Sequence, residues 1–121
     1  MNRLRDAYKK WLGKTSYDLF ITLTFDRQVS SFTAWGLVRN YYLDGFDNHM
    51  KYVAVEEQTL AGKPHFHLLL KSDLVKLTEE KHLLTWKFGR AKVYEANDRA
   101  LGYVLKRVAY GAEVETNIPN R

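Results

Sequence analysis

The chain has 121 residues, 45% hydrophobic and 27% charged, which supports one domain with a buried core and excludes a disordered tail. Lys and Arg number 19 against 14 Asp and Glu, and the resulting charge of +5 suits a polyanionic partner, although many unrelated domains are as basic. The absence of cysteine excludes disulfides, thiolate metal sites and cysteine nucleophiles. The basic stretch 1–14 lacks a continuous apolar run, so it does not read as a secretory signal, and no segment approaches membrane-spanning length. The expectation is an intracellular protein without a membrane partner.

Leu4, Ala7, Tyr8 and Trp11 recur at helical spacing and predict an amphipathic helix ending at Gly13, with Arg3, Arg5, Lys9 and Lys10 as a solvated basic face. The sequence Gly13-Lys14-Thr15 is no phosphate-binding loop, because Tyr8 stands where the required glycine would be. Residues 18–25 are rich in strand formers and alternate Phe20, Thr22 and Thr24 against Ile21, Leu23 and Phe25. Ser30 and Ser31 can cap a helix over 32–43 with Trp35, Val38 and Tyr42 on one side. Residues 51–57 and 64–71 read as strands, and the 59–63 connection, which contains Gly62, makes them an antiparallel hairpin.

Thr78 opens a helix running to Trp86 and closed by Gly89. Residues 91–95 form a short strand, and Asn97 or Asp98 caps a final helix to about Tyr110, stopped by Gly111. The tail from Ala112 is polar and reads as loosely held. This order predicts an α+β fold in one domain over residues 1–121: a ferredoxin-like antiparallel β-sheet with helices packed mainly on one face.

Chemistry concentrates at Gly62-Lys-Pro-His65-Phe-His67-Leu-Leu-Leu70. Strand alternation puts His65 and His67 side by side on one face, roughly 6–7 Å apart, with Phe66, Leu68 and Leu70 on the other. A lone strand histidine is ordinarily a packed or solvated side chain, but two in strict alternation can grip one divalent cation if a carboxylate lies nearby. Glu56 and Glu57 end the neighbouring strand, and because they are adjacent only one can face the histidines. Spacing does not choose between them. On the final helix Leu101, Val104, Leu105 and Val108 form an apolar stripe, with Tyr103, Lys106 and Tyr110 opposite. These read as surface residues of an amphipathic helix, or as a tyrosine nucleophile with an ammonium one turn on. The second reading requires the helix to be rotated so that Tyr103 overhangs the histidines.

Taken together, Ile21-Thr-Leu-Thr-Phe25, the segment from Gly62 to Leu70, and Gly102-Tyr-Val-Leu-Lys-Arg107 resemble the three ordered motifs of the HUH endonucleases. Within that superfamily the chain most resembles rolling-circle replication initiators of small phages, plasmids and single-stranded DNA viruses. Trp86-Lys-Phe-Gly89 is similar to a Trp-x-x-Gly element of the phage-type members. The resemblance implies a metal-dependent nickase that acts on single-stranded DNA or an origin hairpin through a 5′-phosphotyrosyl intermediate. It implies His65, His67 and Glu57 as ligands of Mg²⁺ or Mn²⁺, Tyr103 as nucleophile and Lys106 as the lysine that follows it. It implies auxiliary or DNA-contacting roles for Thr22, Thr24, Arg107 and Tyr110.

Many phage-type relatives carry a second tyrosine four residues after the first. Arg107 stands there, so the chain reads as a single-tyrosine enzyme. It carries no helicase module, which implies a host polymerase and helicase as indirect partners in a prokaryotic cytoplasm. The resemblance leaves monomer and dimer both open. A single-tyrosine transposase of the same superfamily and a non-catalytic ferredoxin-like nucleic-acid-binding domain are the rival readings.

Overall fold

The computed structural model describes residues 3–45, 49–59, 62–79, 86–106 and 114–120. Its strand-forming segments pair into one five-stranded antiparallel sheet of order β4-β1-β3-β2-β5. The strands are β1 (Leu19–Leu23), β2 (Met50–Glu57), β3 (His65–Ser72), β4 (Ala91–Glu95) and β5 (Val114–Thr116). The order of the first four is ferredoxin-like, with β3 in the middle, hydrogen-bonded to β1 on one side and β2 on the other. Gly62, in the connection between β2 and β3, has φ +71°, a conformation that favours glycine.

Three helices flank the sheet: α1 (Arg3–Leu12), α2 (Ser31–Tyr41) and α3 (Ala100–Leu105). α1 closes at Gly13, whose N–H donates to Lys9 O at 2.9 Å. The Tyr17 hydroxyl ties down the same end by donating to Leu12 O at 2.8 Å. Burial pushes the Tyr17 phenol up to about 12, so it stays a neutral donor. α2 is capped by Ser30, whose Oγ accepts from Thr33 N at 3.1 Å.

The helices divide between the two faces of the sheet, whereas the sequence reading put them mainly on one. Ala34, Trp35 and Val38 of α2 pack with Ile21, Leu23, Phe66, Leu68 and Leu70. Leu12 of α1 and Ala100, Val104 and Leu105 of α3 pack with Val53, Val55 and Leu69 on the opposite face. The cause lies in the central strand: the run Leu68-Leu69-Leu70 is apolar on both sides, so both sides must be covered.

Two further expectations are corrected. Rather than hanging loose, the tail adds β5 to the edge of β2. The Thr116 hydroxyl donates to Tyr52 O, the Asn117 amide bonds Tyr52 N and Met50 O at 2.9 and 2.7 Å, and Trp11 Nε1 donates to Pro119 O at 2.9 Å. Polar side chains bind an open strand edge as well as apolar ones, and a reading of composition misses this. Asn97 does not cap α3; its Oδ1 accepts from Arg99 N at 2.9 Å in the turn before the helix, which begins at Ala100. The core of the helix expected over 78–86, and Arg107 and Tyr110 of the final helix, lie outside the described residues.

The Trp86-x-x-Gly89 element closes on the end of β1. Trp86 Nε1 donates to Thr24 O at 2.8 Å, and Thr24 N donates to Arg90 O at 2.9 Å. A β-carbon at residue 89 would collide with Thr24 O, so only glycine permits this approach. No helix among the described residues is long and apolar enough to cross a membrane.

Candidate active site

The site lies on the sheet face covered by α1 and α3. Pairing registers place Lys92, Thr22, His67 and Val55 in one row across β4, β1, β3 and β2, and His65 opposite Glu57 in a neighbouring row. Directly paired residues in a sheet share a face, so His65, His67, Thr22 and Glu57 all project to this side.

His67 is the centre, only 4% exposed. Its Nε2 lies 2.8 Å from Glu57 Oε2, and its Nδ1 lies 3.1 Å from Thr22 Oγ1. An ionised carboxylate only accepts, so in the neutral imidazole Nε2–H donates to Glu57 and the Thr22 hydroxyl donates to Nδ1. The ring is fixed from above and beside as well. Phe20 stacks on it at 5.8 Å between centroids, and Tyr103 meets it edge-on at 5.4 Å with an interplanar angle of 87°. Phe20 and Tyr103 also touch edge-to-face at 5.8 Å.

Tyr103 is therefore not directed away from the sheet, although Val104 and Leu105 beside it are buried in the core below. It is 44% exposed, with one edge against His67 and the rest open to solvent. A cleft of about 450 Å³ opens beside it, lined among others by Phe20, Thr22, His67, Tyr94, Arg99 and Tyr103. Phe20, Tyr94 and Arg99 were not singled out as site residues from the sequence. Phe20 shares the alternation set of Thr22, which is a usable signal, whereas Tyr94 and Arg99 reach the cleft only through the pairing of β4 with β1 and the placement of α3.

The choice between the two glutamates is settled by geometry. Glu56 is buried on the opposite face, accepting from Ser31 Oγ at 2.6 Å and Trp35 Nε1 at 3.1 Å, where it anchors α2 to β2. Glu57 alone joins the histidine face. Thr24 faces its neighbour instead of the cleft: its Oγ1 accepts from Arg90 N at 3.2 Å. Lys106 closes α3 and lines a second groove together with Tyr103, outside the histidine cleft.

Among the described residues no group of three His, Asp or Glu side chains is arranged as a complete metal site. The contact between His67 and Glu57 nonetheless fits a hard cation. Adjacent octahedral ligands at about 2.0–2.1 Å from an ion lie about 2.9 Å apart, close to the 2.8 Å seen between Nε2 and Oε2. His65, half-buried and directly opposite Glu57, carries a further imidazole on the same face.

Searches of curated proteins and of solved structures return no significant match. A family model described as replication-associated protein, of the ORF2 type, matches residues 18–111, a span holding the sheet strands β1 to β4, both histidines, Glu57 and Tyr103. With most of its length covered by that match, the chain belongs to this replication-associated protein family.

Proposed function

We propose that this chain is a nickase and strand transferase of the HUH type that initiates rolling-circle replication, with Tyr103 as the nucleophile on single-stranded DNA. The observation that carries the reading is convergence. Three segments remote in sequence, around Thr22, His67 and Tyr103, meet within ring-contact distance at the wall of one cleft. An aromatic-lined cleft suits an unpaired nucleotide, since every base has a face to stack.

In this mechanism the Tyr103 phenol loses its proton and its oxygen attacks the scissile phosphorus in line. A phenolic O–P bond forms as the P–O3′ bond breaks, leaving a 5′-phosphotyrosyl enzyme and a 3′ oxygen that takes up a proton. The link conserves the energy of the phosphodiester, so the free 3′-hydroxyl can later reverse the attack and rejoin the strand. His67, held by Thr22 and Glu57, supports the Tyr103 ring edge and fixes the phenol's approach. Glu57, His65 and His67 would hold Mg²⁺ or Mn²⁺, which supplies Lewis-acid stabilisation of charge on the non-bridging phosphate oxygens. Lys106, beside Tyr103 at the groove, offers an ammonium to a flanking phosphate oxygen.

Incubation with single-stranded oligonucleotides and Mn²⁺, followed by a denaturing gel, tests the proposal. The expected outcome is a protein–DNA adduct that disappears in Tyr103→Phe, falls about 100-fold in His67→Ala, and persists in Tyr110→Phe. An adduct retained by Tyr103→Phe and lost in Tyr110→Phe would reassign the nucleophile. Metal-independent binding with no adduct on any substrate would favour the non-catalytic nucleic-acid-binding reading.

A further inference from the structure

We infer that the groove between α1 and α3 is a track for the sugar-phosphate backbone of the DNA strand leaving Tyr103, an inference that rests on the nickase reading. The groove holds about 500 Å³. Arg5 and Lys9 stand one turn apart on α1, and Arg99 and Lys106 flank Gly102 along α3, so two cationic rows border the same space. Asp6 is the one carboxylate among the described residues that line it. Such an excess of cations over a narrow groove is the electrostatic footprint expected for phosphates, and it disfavours an apolar or cationic partner.

Continuity ties the groove to the site. Tyr103 and Arg99 line both the histidine cleft and this groove, so a strand with its scissile phosphate at Tyr103 passes directly from one to the other. Gly102 keeps the passage clear, since no atom lies within 4 Å of where its β-carbon would be. The division of labour is chemical: aromatic surface for a base on one side of the phenol, fixed cations for phosphates on the other. α1 precedes the span matched by the family model, which begins at residue 18. One wall of the track is thus carried by a helix outside the matched span.

The test is fluorescence anisotropy with a labelled single-stranded oligonucleotide of about 20 nucleotides, in the non-cleaving Tyr103→Phe background, across 50–200 mM salt. Each phosphate contact on single-stranded DNA contributes about 0.7 to the slope of log affinity against log salt. Arg5→Gln/Lys9→Gln is expected to lower that slope by about 1.4 and the affinity on the order of 10-fold. Lys51→Gln, at the far end of β2, serves as the charge control and is expected to leave the slope unchanged. Gly102→Leu fills the groove without removing charge and favours the helix, so it is expected to weaken binding in a protein at least as stable as the parent.

If Arg5→Gln/Lys9→Gln binds and responds to salt as Lys51→Gln does while the unsubstituted chain still forms the Tyr103 adduct, the track is overturned and the nickase reading stands. If the slope falls as expected but no adduct forms on any substrate, the track stands and the nickase reading falls.

Discussion

Glu56 and Glu57 are adjacent on β2, so their carboxylates leave opposite faces of the sheet. One step along the strand separates a structural group from a chemical one. Glu56 accepts from Ser31 and Trp35 in a buried setting, and replacing its carboxylate by an amide leaves donors facing donors there. Glu56→Gln is expected to cost about 1–3 kcal/mol in urea denaturation, with the adduct yield per folded molecule retained. Glu57→Gln should do the reverse, leaving the urea midpoint nearly unchanged while adduct formation drops about 10–100-fold or more. A Glu57→Gln protein that forms adducts at the parental rate would remove that carboxylate from the chemistry. Thr22 owes its place to the same register, its hydroxyl orienting the imidazole from the side opposite Glu57.

Among the elements, the turn from Trp86 to Arg90 shows how a short pattern acts through backbone. Trp86 reaches Thr24 O with its indole N–H and packs edge-on against Phe25 at 5.2 Å, while Gly89 lets the two chains approach closely. Gly89→Ala forces a methyl against the Thr24 carbonyl and is expected to destabilise by about 1–3 kcal/mol. Trp86→Phe, which keeps an aromatic ring but loses the indole donor, should cost about 1 kcal/mol. Both are read from urea midpoints, and a stability-neutral Gly89→Ala would refute the close-approach account. The consequence for function is positional: the clasp fixes the end of β1, and β1 carries Phe20 and Thr22 to His67.

For the whole molecule, the sheet is the shared wall of two cores. Leu68 and Leu69 are neighbours on β3, yet the first is buried beneath α2 and the second beneath α1 and α3. Truncating either to alanine is expected to cost about 2–5 kcal/mol. Because the strand is common to both faces, both variants should unfold in one transition followed identically by fluorescence and circular dichroism. Two separable transitions would show that the faces fold independently. α1 bridges these scales: Leu12 roots it in the second core, while Arg5 and Lys9 stand at the groove beside Tyr103.

Local pattern by itself determined the four longer strands, the first two helices and the face shared by His65 and His67, because alternation and helical spacing are properties of neighbouring residues. It also yielded Tyr103 and the Trp86-x-x-Gly89 element as residues to watch. What it left open depends on contacts between segments far apart in the chain. The choice of Glu57 over Glu56 followed from the β2–β3 register, since only that pairing decides which face the histidines share with which carboxylate. The second layer of helices followed from burial of β3 on both sides, and β5 from an unpaired strand edge that no single segment reveals. Tyr103 over His67 is the clearest case: the helical wheel put the phenol opposite the apolar stripe, and only the seating of α3 across the sheet turned its ring edge toward the imidazole.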